Sequence, residues 1–273
     1  MKLLVSTLTT IILLILLAGV TSIAAAGPTK HSDLPDWRRY AALSPESGQA
    51  PIIAIVIDDL GHSEREFARV LSLGLGITLA FLPYAERAPE LAQQARQEGF
   101  EILVHMPMEP SNSSADPGPN ALLTGLSEKE LKRRLDHNLT RFSGYVGVNN
   151  HMGSKFSQHR RAMSLVLAEL NSRGLLYLDS VTVSSTVGAR LAEASRMPHA
   201  SRDIFIDHLV ERSYIERQLS LLEHVAHRSG HAVAIGHPHK ETIEALMRWL
   251  PEARKRGFEF VPISTIAALE CSC

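Results

Sequence analysis

From Pro51 onward, short apolar runs alternate with longer segments whose apolar residues recur at helical spacing. The short runs predict eight strands: Ile52–Ile57, Ile77–Phe81, Ile102–His105, Tyr145–Val148, Leu175–Leu178, His199–Ser201, Ala232–Ile235 and Phe258–Val261. The longer segments predict seven helices: Ser63–Leu73, Ala88–Glu98, Glu128–Phe142, Gln158–Arg173, Val187–Ser195, Glu211–Ser229 and Glu241–Lys255. This alternation is typical of parallel β/α units, and about eight units fit a barrel. An open, doubly wound sheet is the alternative.

The first predicted strand ends in two adjacent carboxylates. Its six apolar residues run directly into Asp58 and Asp59, and Gly61 follows. Such a run is typical of a buried strand, and carboxylates at its end are costly to bury unless a cation lies nearby. The pair therefore indicates either a cation-binding site or a cap for the next helix, and this segment alone does not separate the two.

Polar residues of the same kinds follow other predicted strands. In parallel β/α folds, active sites are built at the carboxyl ends of the strands. At or beyond those ends the sequence places His105 and Glu109, Asn149, Asn150 and His151, Asp179, Asp203 and Asp207, and His237 and His239. Because Asp or His residues follow five of the eight predicted strands at the same end, we predict a functional site there.

The residue types at this rim favour a metal ion. Carboxylate and imidazole groups suit Zn²⁺ or a similar divalent ion, and a catalytic zinc keeps one position open for water. The sequence contains no H-E-x-x-H motif and no cluster of cysteines; Cys271 and Cys273 are too few to form a disulfide framework. Ligands from different strands need no short spacing, so the pattern predicts a site assembled at the rim.

The N-terminal segment has the pattern of a secretory signal. Lys2 precedes a mostly apolar stretch, residues 3–20, and small residues follow at positions 24–27. We expect residues 1–26 to be a signal peptide cleaved after Ala26, with an uncleaved membrane anchor as the alternative. We expect residues 27–50 to form a linker and residues 51–273 to form the main domain. Either way the domain is expected to be periplasmic or otherwise extracytoplasmic, with membrane attachment only if the segment stays uncleaved.

Overall composition changes this picture little. Hydrophobic residues make up 45% and charged residues 21% of the chain, which is ordinary for a globular protein. The formal net charge of −1 gives no support for a nucleic-acid partner.

Six segments carry a family resemblance in the right order: residues 56–61, 104–110, 147–154, 178–180, 205–207 and 234–239. Together they resemble the divergent polysaccharide deacetylase family of bacterial envelope proteins (the YibQ-like group), which is related to NodB-type polysaccharide deacetylases. The resemblance covers about residues 51–269. It implies a distorted, incomplete (β/α) barrel and a glycan substrate.

The resemblance also implies roles for the rim residues. The broader class uses one Asp as the base and the next as a metal ligand, which corresponds to Asp58 and Asp59. Its first motif histidine, a zinc ligand, corresponds to His105. The second motif histidine is replaced by Glu109, and we expect His151 to supply the missing imidazole.

The resemblance gives His237 a catalytic role and the other residues supporting roles. The late catalytic histidine of the class corresponds to His237, and Asp179 is expected to hydrogen-bond a metal ligand or His237. Asp207 and His239 are further candidates for residues that support the metal ligands. The class also has an arginine that orients the base, and here Asn149 and Asn150 stand in its place.

The expected activity is metal-dependent hydrolysis of N-acetyl groups on an envelope polysaccharide or a peptidoglycan-type glycan. Zn²⁺ or another divalent metal is the expected cofactor. The replaced histidine and the missing arginine keep an alternative open, in which the protein is a catalytically weak or inactive envelope module that binds a glycan or a partner protein.

Overall fold

The computed structural model describes residues 34–42 and 50–271. Its strands are β1 (Ile52–Leu60), β2 (Ile77–Phe81), β3 (Glu101–Met108), β4 (Gly147–Met152), β5 (Leu176–Asp179), β6 (His199–Ser201), β7 (Ile204–Phe205), β8 (His231–Gly236) and β9 (Glu259–Phe260). Its helices are α1 (Asp36–Arg39), α2 (Glu64–Leu71), α3 (Ala88–Gln97), α4 (Glu128–Leu139), α5 (Arg160–Ser172), α6 (Gly188–Ala194), α7 (Arg212–Ser229), α8 (Lys240–Lys255) and α9 (Ile263–Glu270). All eight predicted strands and all seven predicted helices are present, with bounds shifted by a few residues.

The strands form one parallel sheet that curls into an incomplete barrel. The order is β6-β5-β4-β3-β2-β1-β8-β7, and β9 pairs with the start of β1. Helix α9 contacts β5 and β6 near one end of this order and β1 and β8 near the other, so the sheet curls around it. Within residues 50–271, the edge strands β6 and β7 do not pair with each other. The incomplete (β/α) barrel implied by the resemblance is therefore confirmed, and the sheet is not an open, doubly wound one.

Alternation along each strand separates an outer core from an inner one. Successive side chains of a strand point to opposite faces of the sheet. The outward face of β1 packs with the surrounding helices and consists of Ile53, Ile55 and Ile57. The inward face of β1 lies in the same cluster as α9 and consists of Ile52, Ala54 and Val56.

Three elements were not predicted from the sequence, which are the two-residue strand β7 and the helices α1 and α9. Helix α9 lies within the inner core, and it is apolar on most of its surface, so it lacks the amphipathic pattern that identifies a surface helix. Helix α1 lies within the predicted linker, yet Trp37 is only 6% exposed and belongs to the inner core. The Trp37 backbone N–H also donates to Gly174 O at 2.9 Å. Residues 34–42 are thus packed on the domain.

The predicted signal segment, residues 1–26, lies outside the described residues, as do residues 27–33 and 43–49 of the predicted linker. In the described ranges, no helix is both long enough and apolar enough to cross a bilayer.

Candidate active site

The candidate site is the layer of side chains that follows the apolar interior of the barrel at the carboxyl ends of the strands. Two positions along a strand return the side chain to the same face. Val56 faces the interior, and Asp58 continues that face; Leu103 and His105 are related in the same way. The same spacing relates three further pairs, which are Leu178 and Ser180, Phe205 and Asp207, and Ile235 and His237.

Asp59 reaches the same layer through a break in strand geometry. Its backbone is left-handed, with φ of 58°. The pairing of β1 with β2 also shifts between Ile57 and Leu60. Asp adopts this conformation more readily than most residues, at a cost of about 1–3 kcal/mol. In a regular strand Asp58 and Asp59 would point to opposite faces, whereas the kink brings both carboxylates to His105.

Three donor atoms converge at this point. Asp59 Oδ1 lies 2.9 Å from His151 Nδ1 and 3.2 Å from His105 Nε2, and the two ring nitrogens are 3.2 Å apart. Among the described residues, no hydrogen bond of acceptable geometry reaches the buried Asp59 Oδ1. Donor atoms around a tetrahedral ion with bonds of about 2.0–2.1 Å lie about 3.3 Å apart. The three residues therefore fit one face of a divalent-metal site.

The charges in this cluster favour cation binding. Burial raises the pKa of Asp59, but the His105 and His151 rings beside it hold that pKa well below its usual range. Burial lowers the pKa of His105, and the neighbouring Asp58 and Asp59 carboxylates reverse this and raise it. Asp59 is consequently ionised, as a carboxylate ligand of a metal must be.

Asp58 lies beside the cluster with its two oxygens in different surroundings. Asn149 Nδ2 donates to Asp58 Oδ1 at 2.8 Å. Asp58 Oδ2 faces His105 Nε2 at 3.5 Å. Burial raises the pKa of Asp58, although the charges of His105 and His237 oppose this shift. A buried carboxyl group with a raised pKa at a cluster of donor atoms is suited to accepting a proton.

His237 is oriented by Asp207. His237 Nδ1 lies 2.9 Å from Asp207 Oδ1, while the His237 backbone N–H and Thr242 Oγ1 both donate to Asp207 Oδ2 at 2.7 Å. Because a carboxylate only accepts, Nδ1 carries the proton, and Nε2 lies 3.7 Å from Asp59 Oδ2. Burial lowers the pKa of His237, but the hydrogen bond and charge of Asp207, with the charges of Asp58 and Asp59, raise it to about 9.

His239 lies at the exposed rim, directly before α8. With Asp207 and His237 it forms a second group of donors that are close enough for a metal. In this group Asp207 is already satisfied by His237 and Thr242. The Asp59 group fits a metal better because it contains a buried oxygen that accepts no hydrogen bond from the described residues.

Two predicted residues point away from the site. Asp179 follows the inward-facing Leu178 by one position, and its carboxylate bonds groups of the next loop and helix, which are Val181 N, Thr186 Oγ1 and Ala189 N. The predicted hydrogen bond from a metal ligand or His237 to Asp179 is therefore not formed. Asn150 likewise faces outward and accepts from Ser180 N at 2.9 Å and from Tyr177 Oη at 3.3 Å. It fixes the end of β5 rather than the metal ligands.

Glu109 does not join the donor cluster, although it stands in the place of the second motif histidine. Its Oε2 accepts from the backbone N–H and the hydroxyl of Thr124 at 2.6 and 2.7 Å, and its Oε1 pairs with Lys155 at 2.6 Å. These contacts tie the loop after β3 to the loop after β4. His151, two residues after Asn149 on β4, occupies the third corner of the cluster instead.

Asn149 and Ser180 complete the inward layer. Sequence reasoning placed Asn149 only at the position of the arginine of the class, and it assigned Ser180 no role. Asn149 stands beside His105 in the β3–β4 register, and its amide reaches Ser180 Oγ at 3.4 Å. Asn149 pairs with the inward-facing Leu178, and Ser180 follows Leu178 by two positions, so the alternation rule that places Asp58 also places Ser180.

Comparison with known proteins places the chain among relatives. YibQ, an uncharacterized protein of Escherichia coli K12, is 34% identical over 196 residues, which cover 72% of this chain and 61% of YibQ. A crystal structure of an uncharacterized protein from Agrobacterium tumefaciens C58 is 31% identical, with a TM-score of 0.82 and coverage of 86% of this chain and 96% of that one. The catalytic domain of a peptidoglycan N-acetylglucosamine deacetylase from Eubacterium rectale shares the fold at 13% identity, with a TM-score of 0.53 over 81% and 91% of the two chains.

The family match covers the barrel and the whole donor cluster. A model of the divergent polysaccharide deacetylase family matches residues 55–267, which extend from within β1 to within α9. All residues of the inward layer, from Asp58 to His237, lie inside this range. The chain therefore belongs to the divergent polysaccharide deacetylase family.

Proposed function

We propose that this protein is a metal-dependent hydrolase that removes N-acetyl groups from an envelope polysaccharide or a peptidoglycan-type glycan. One observation carries the proposal: in a member of a deacetylase family, three converging metal donors lie between a buried carboxylate and a histidine–aspartate pair. Asp59, His105 and His151 would hold Zn²⁺ or another divalent ion. Such an ion supplies Lewis-acid polarisation of the amide carbonyl and lowers the pKa of water toward ~7.

Asp58 acts as the general base in this proposal. Asn149 holds its Oδ1, so Oδ2 is the atom that takes a proton from the attacking water. Two features support the role: the raised pKa of the buried carboxyl makes it more basic than an exposed Asp, and Oδ2 lies beside His105 Nε2, one of the three donors.

His237 acts as the general acid. Asp207 holds the proton on Nδ1 and stabilises the imidazolium, so Nε2–H is the proton that the leaving amine receives. The raised pKa, about 9, keeps the ring protonated near neutral pH. An amine is a poor leaving group unless it is protonated, and proton transfer by a positioned side chain contributes typically 10²–10⁴-fold in rate.

The choice of substrate rests on the family and on one distant structural neighbour. The Eubacterium rectale protein is named a peptidoglycan N-acetylglucosamine deacetylase, and the N-terminal pattern favours an extracytoplasmic location, where such glycans occur. We infer an N-acetylated envelope glycan from both.

Acetate release tests the proposal. Zinc-loaded protein is incubated with N-acetylated chito-oligosaccharides and with peptidoglycan fragments, and free acetate is measured. Asp58→Asn should retain zinc and lower acetate release by about 10²–10⁴-fold. Zinc binding and glycan affinity without acetate release from either substrate would overturn the proposal and favour the glycan-binding module.

A further inference from the structure

Asn149 occupies the centre of the inward layer. It lies on β4, its register partner on β3 is His105, and it is fully buried. The two residues that its amide contacts most closely, His105 and Asp58, are each only 2% exposed. A buried amide that contacts a proposed metal ligand and the proposed base is a candidate for more than packing.

The Asn149 amide donates a hydrogen bond to Asp58 and accepts one from His105. Asn149 Nδ2 donates to Asp58 Oδ1 at 2.8 Å, and Asn149 Oδ1 lies 2.9 Å from His105 Nδ1. Since an ionised carboxylate only accepts, the amide nitrogen must face Asp58, and the amide oxygen must then accept from His105 Nδ1–H. An arginine offers donors alone and could not accept from His105.

Two consequences follow at the donor cluster. With the proton on Nδ1, the neutral His105 ring presents the lone pair of Nε2 toward Asp59 Oδ1, as a metal ligand requires. With Asp58 Oδ1 engaged, Oδ2 is the oxygen that lies beside His105 Nε2. One side chain thus sets the tautomer of the ligand and the orientation of the carboxylate.

We propose that Asn149 is a positioning residue that orients both the His105 ligand and the Asp58 base. The arginine that the resemblance implies at this place in the broader class would orient only the base. The Asp58 half of this inference rests on the proposed function, whereas the His105 half rests only on zinc binding.

Two substitutions of Asn149 by residues of similar size distinguish its contact with His105 from its contact with Asp58. Asn149→Asp keeps an acceptor for His105 Nδ1–H but has no donor for Asp58. Asn149→Leu removes both hydrogen bonds. Asn138→Leu is the matched control, because Asn138 is another buried asparagine and its amide donates to Asn120 O at 3.1 Å, outside the donor cluster. For each protein, zinc affinity is measured by competition with a chromophoric chelator, kcat and KM by acetate release, and folding by thermal unfolding.

The expected pattern differs between the variants. In Asn149→Asp, zinc affinity should stay within about threefold of the unsubstituted protein, because the partner of the His105 ring is kept. Its kcat should fall by about 100-fold with KM unchanged, because the base is no longer oriented. In Asn149→Leu, zinc affinity should fall by about 10–100-fold. Asn138→Leu should change neither quantity. A purely structural role of Asn149 would instead lower thermal stability without separating zinc affinity from kcat.

Either of two results overturns the proposal: wild-type kcat in zinc-loaded Asn149→Asp, or wild-type zinc affinity in folded Asn149→Leu. If Asn149→Leu does not fold, the isosteric Asn149→Asp still decides the question through its kcat. If the unsubstituted protein releases no acetate, the proposed function fails, and the positioning role then stands or falls on zinc affinity alone.

Discussion

The imidazole of His237 donates from Nδ1 to Asp207 Oδ1 at 2.9 Å, and the same carboxylate accepts the His237 backbone N–H through its other oxygen. Asp207 therefore holds both the backbone and the ring of His237. Its Nε2 lies at the edge of the donor cluster, 3.7 Å from Asp59 Oδ2. This geometry gives His237 a fixed tautomer and one reactive nitrogen.

Asp207→Asn should lower kcat for acetate release by about 100-fold, because the neutral amide no longer stabilises the imidazolium form of His237. Zinc content and KM should not change, since Asp207 belongs to neither the Asp59 donor group nor the proposed base. Steady-state kinetics on the zinc-loaded variant, beside His239→Ala as a rim control, measures this. An unchanged kcat would remove His237 from the role of general acid.

Asp179→Ala should destabilise the fold without affecting the metal. The buried carboxylate accepts hydrogen bonds from Val181 N, Thr186 Oγ1 and Ala189 N, and losing them should lower the free energy of unfolding by about 2 kcal/mol. Urea unfolding measures the change. Ser185→Ala, which removes one exposed hydrogen bond to Gln158, is the control. Loss of bound zinc from folded Asp179→Ala would show that Asp179 does support the ligands.

Trp37→Ala should show that residues 34–42 contribute to the stability of the barrel. The indole is buried against the inner core, and removing such a side chain costs about 3 kcal/mol in the free energy of unfolding. The neighbouring Arg38→Ala, which removes an exposed cation over the same ring, should cost much less. Equal stability of Trp37→Ala and the unsubstituted protein would restore the view of this segment as a linker.

Glu101, at the start of β3, should make the free energy of unfolding depend on pH. Burial raises its pKa, although Ser264, Ala42 and Thr78 donate to the carboxylate and oppose the shift. Between the ordinary pKa of about 4.3 and the raised value, the folded protein holds a proton that the unfolded chain has lost. The free energy of unfolding therefore falls as pH rises through this window.

Glu101→Gln removes this titration. The difference in unfolding free energy between the unsubstituted protein and Glu101→Gln should thus shift in favour of the variant as the pH rises from 4 to 7. A difference that is constant with pH, or that shifts the other way, would contradict the raised pKa.

Much of the fold was predictable because the strands are continuous apolar runs and the helices are amphipathic. The position of Asp59, His105 and His151 at one rim was predictable because parallel strands present their carboxyl ends there, and the family resemblance implied these three as the ligand set. The outward direction of Asp179 was missed, since a strand that is apolar on both faces gives no signal of which face is which. Helix α9 was missed for the same reason, because it is apolar on most of its surface.

Which residues belong to the inward layer was easier to predict than how each side chain is placed within it. Strand alternation would point the Asp59 side chain outward. The left-handed backbone of Asp59 instead directs it into the donor cluster. Asn149 acts through two hydrogen bonds to residues 44 and 91 positions away in the chain, and no local pattern encodes such contacts.

The proposed hydrolysis depends on a divalent metal bound by Asp59, His105 and His151. Metal content by mass spectrometry, after zinc loading and removal of free ion, tests it in the unsubstituted protein, in the double variant His105→Ala with His151→Ala, and in His239→Ala. We predict about one zinc per chain in the unsubstituted protein and in His239→Ala, and none in the folded double variant. Zinc retained by the double variant, or lost from His239→Ala alone, would contradict the account.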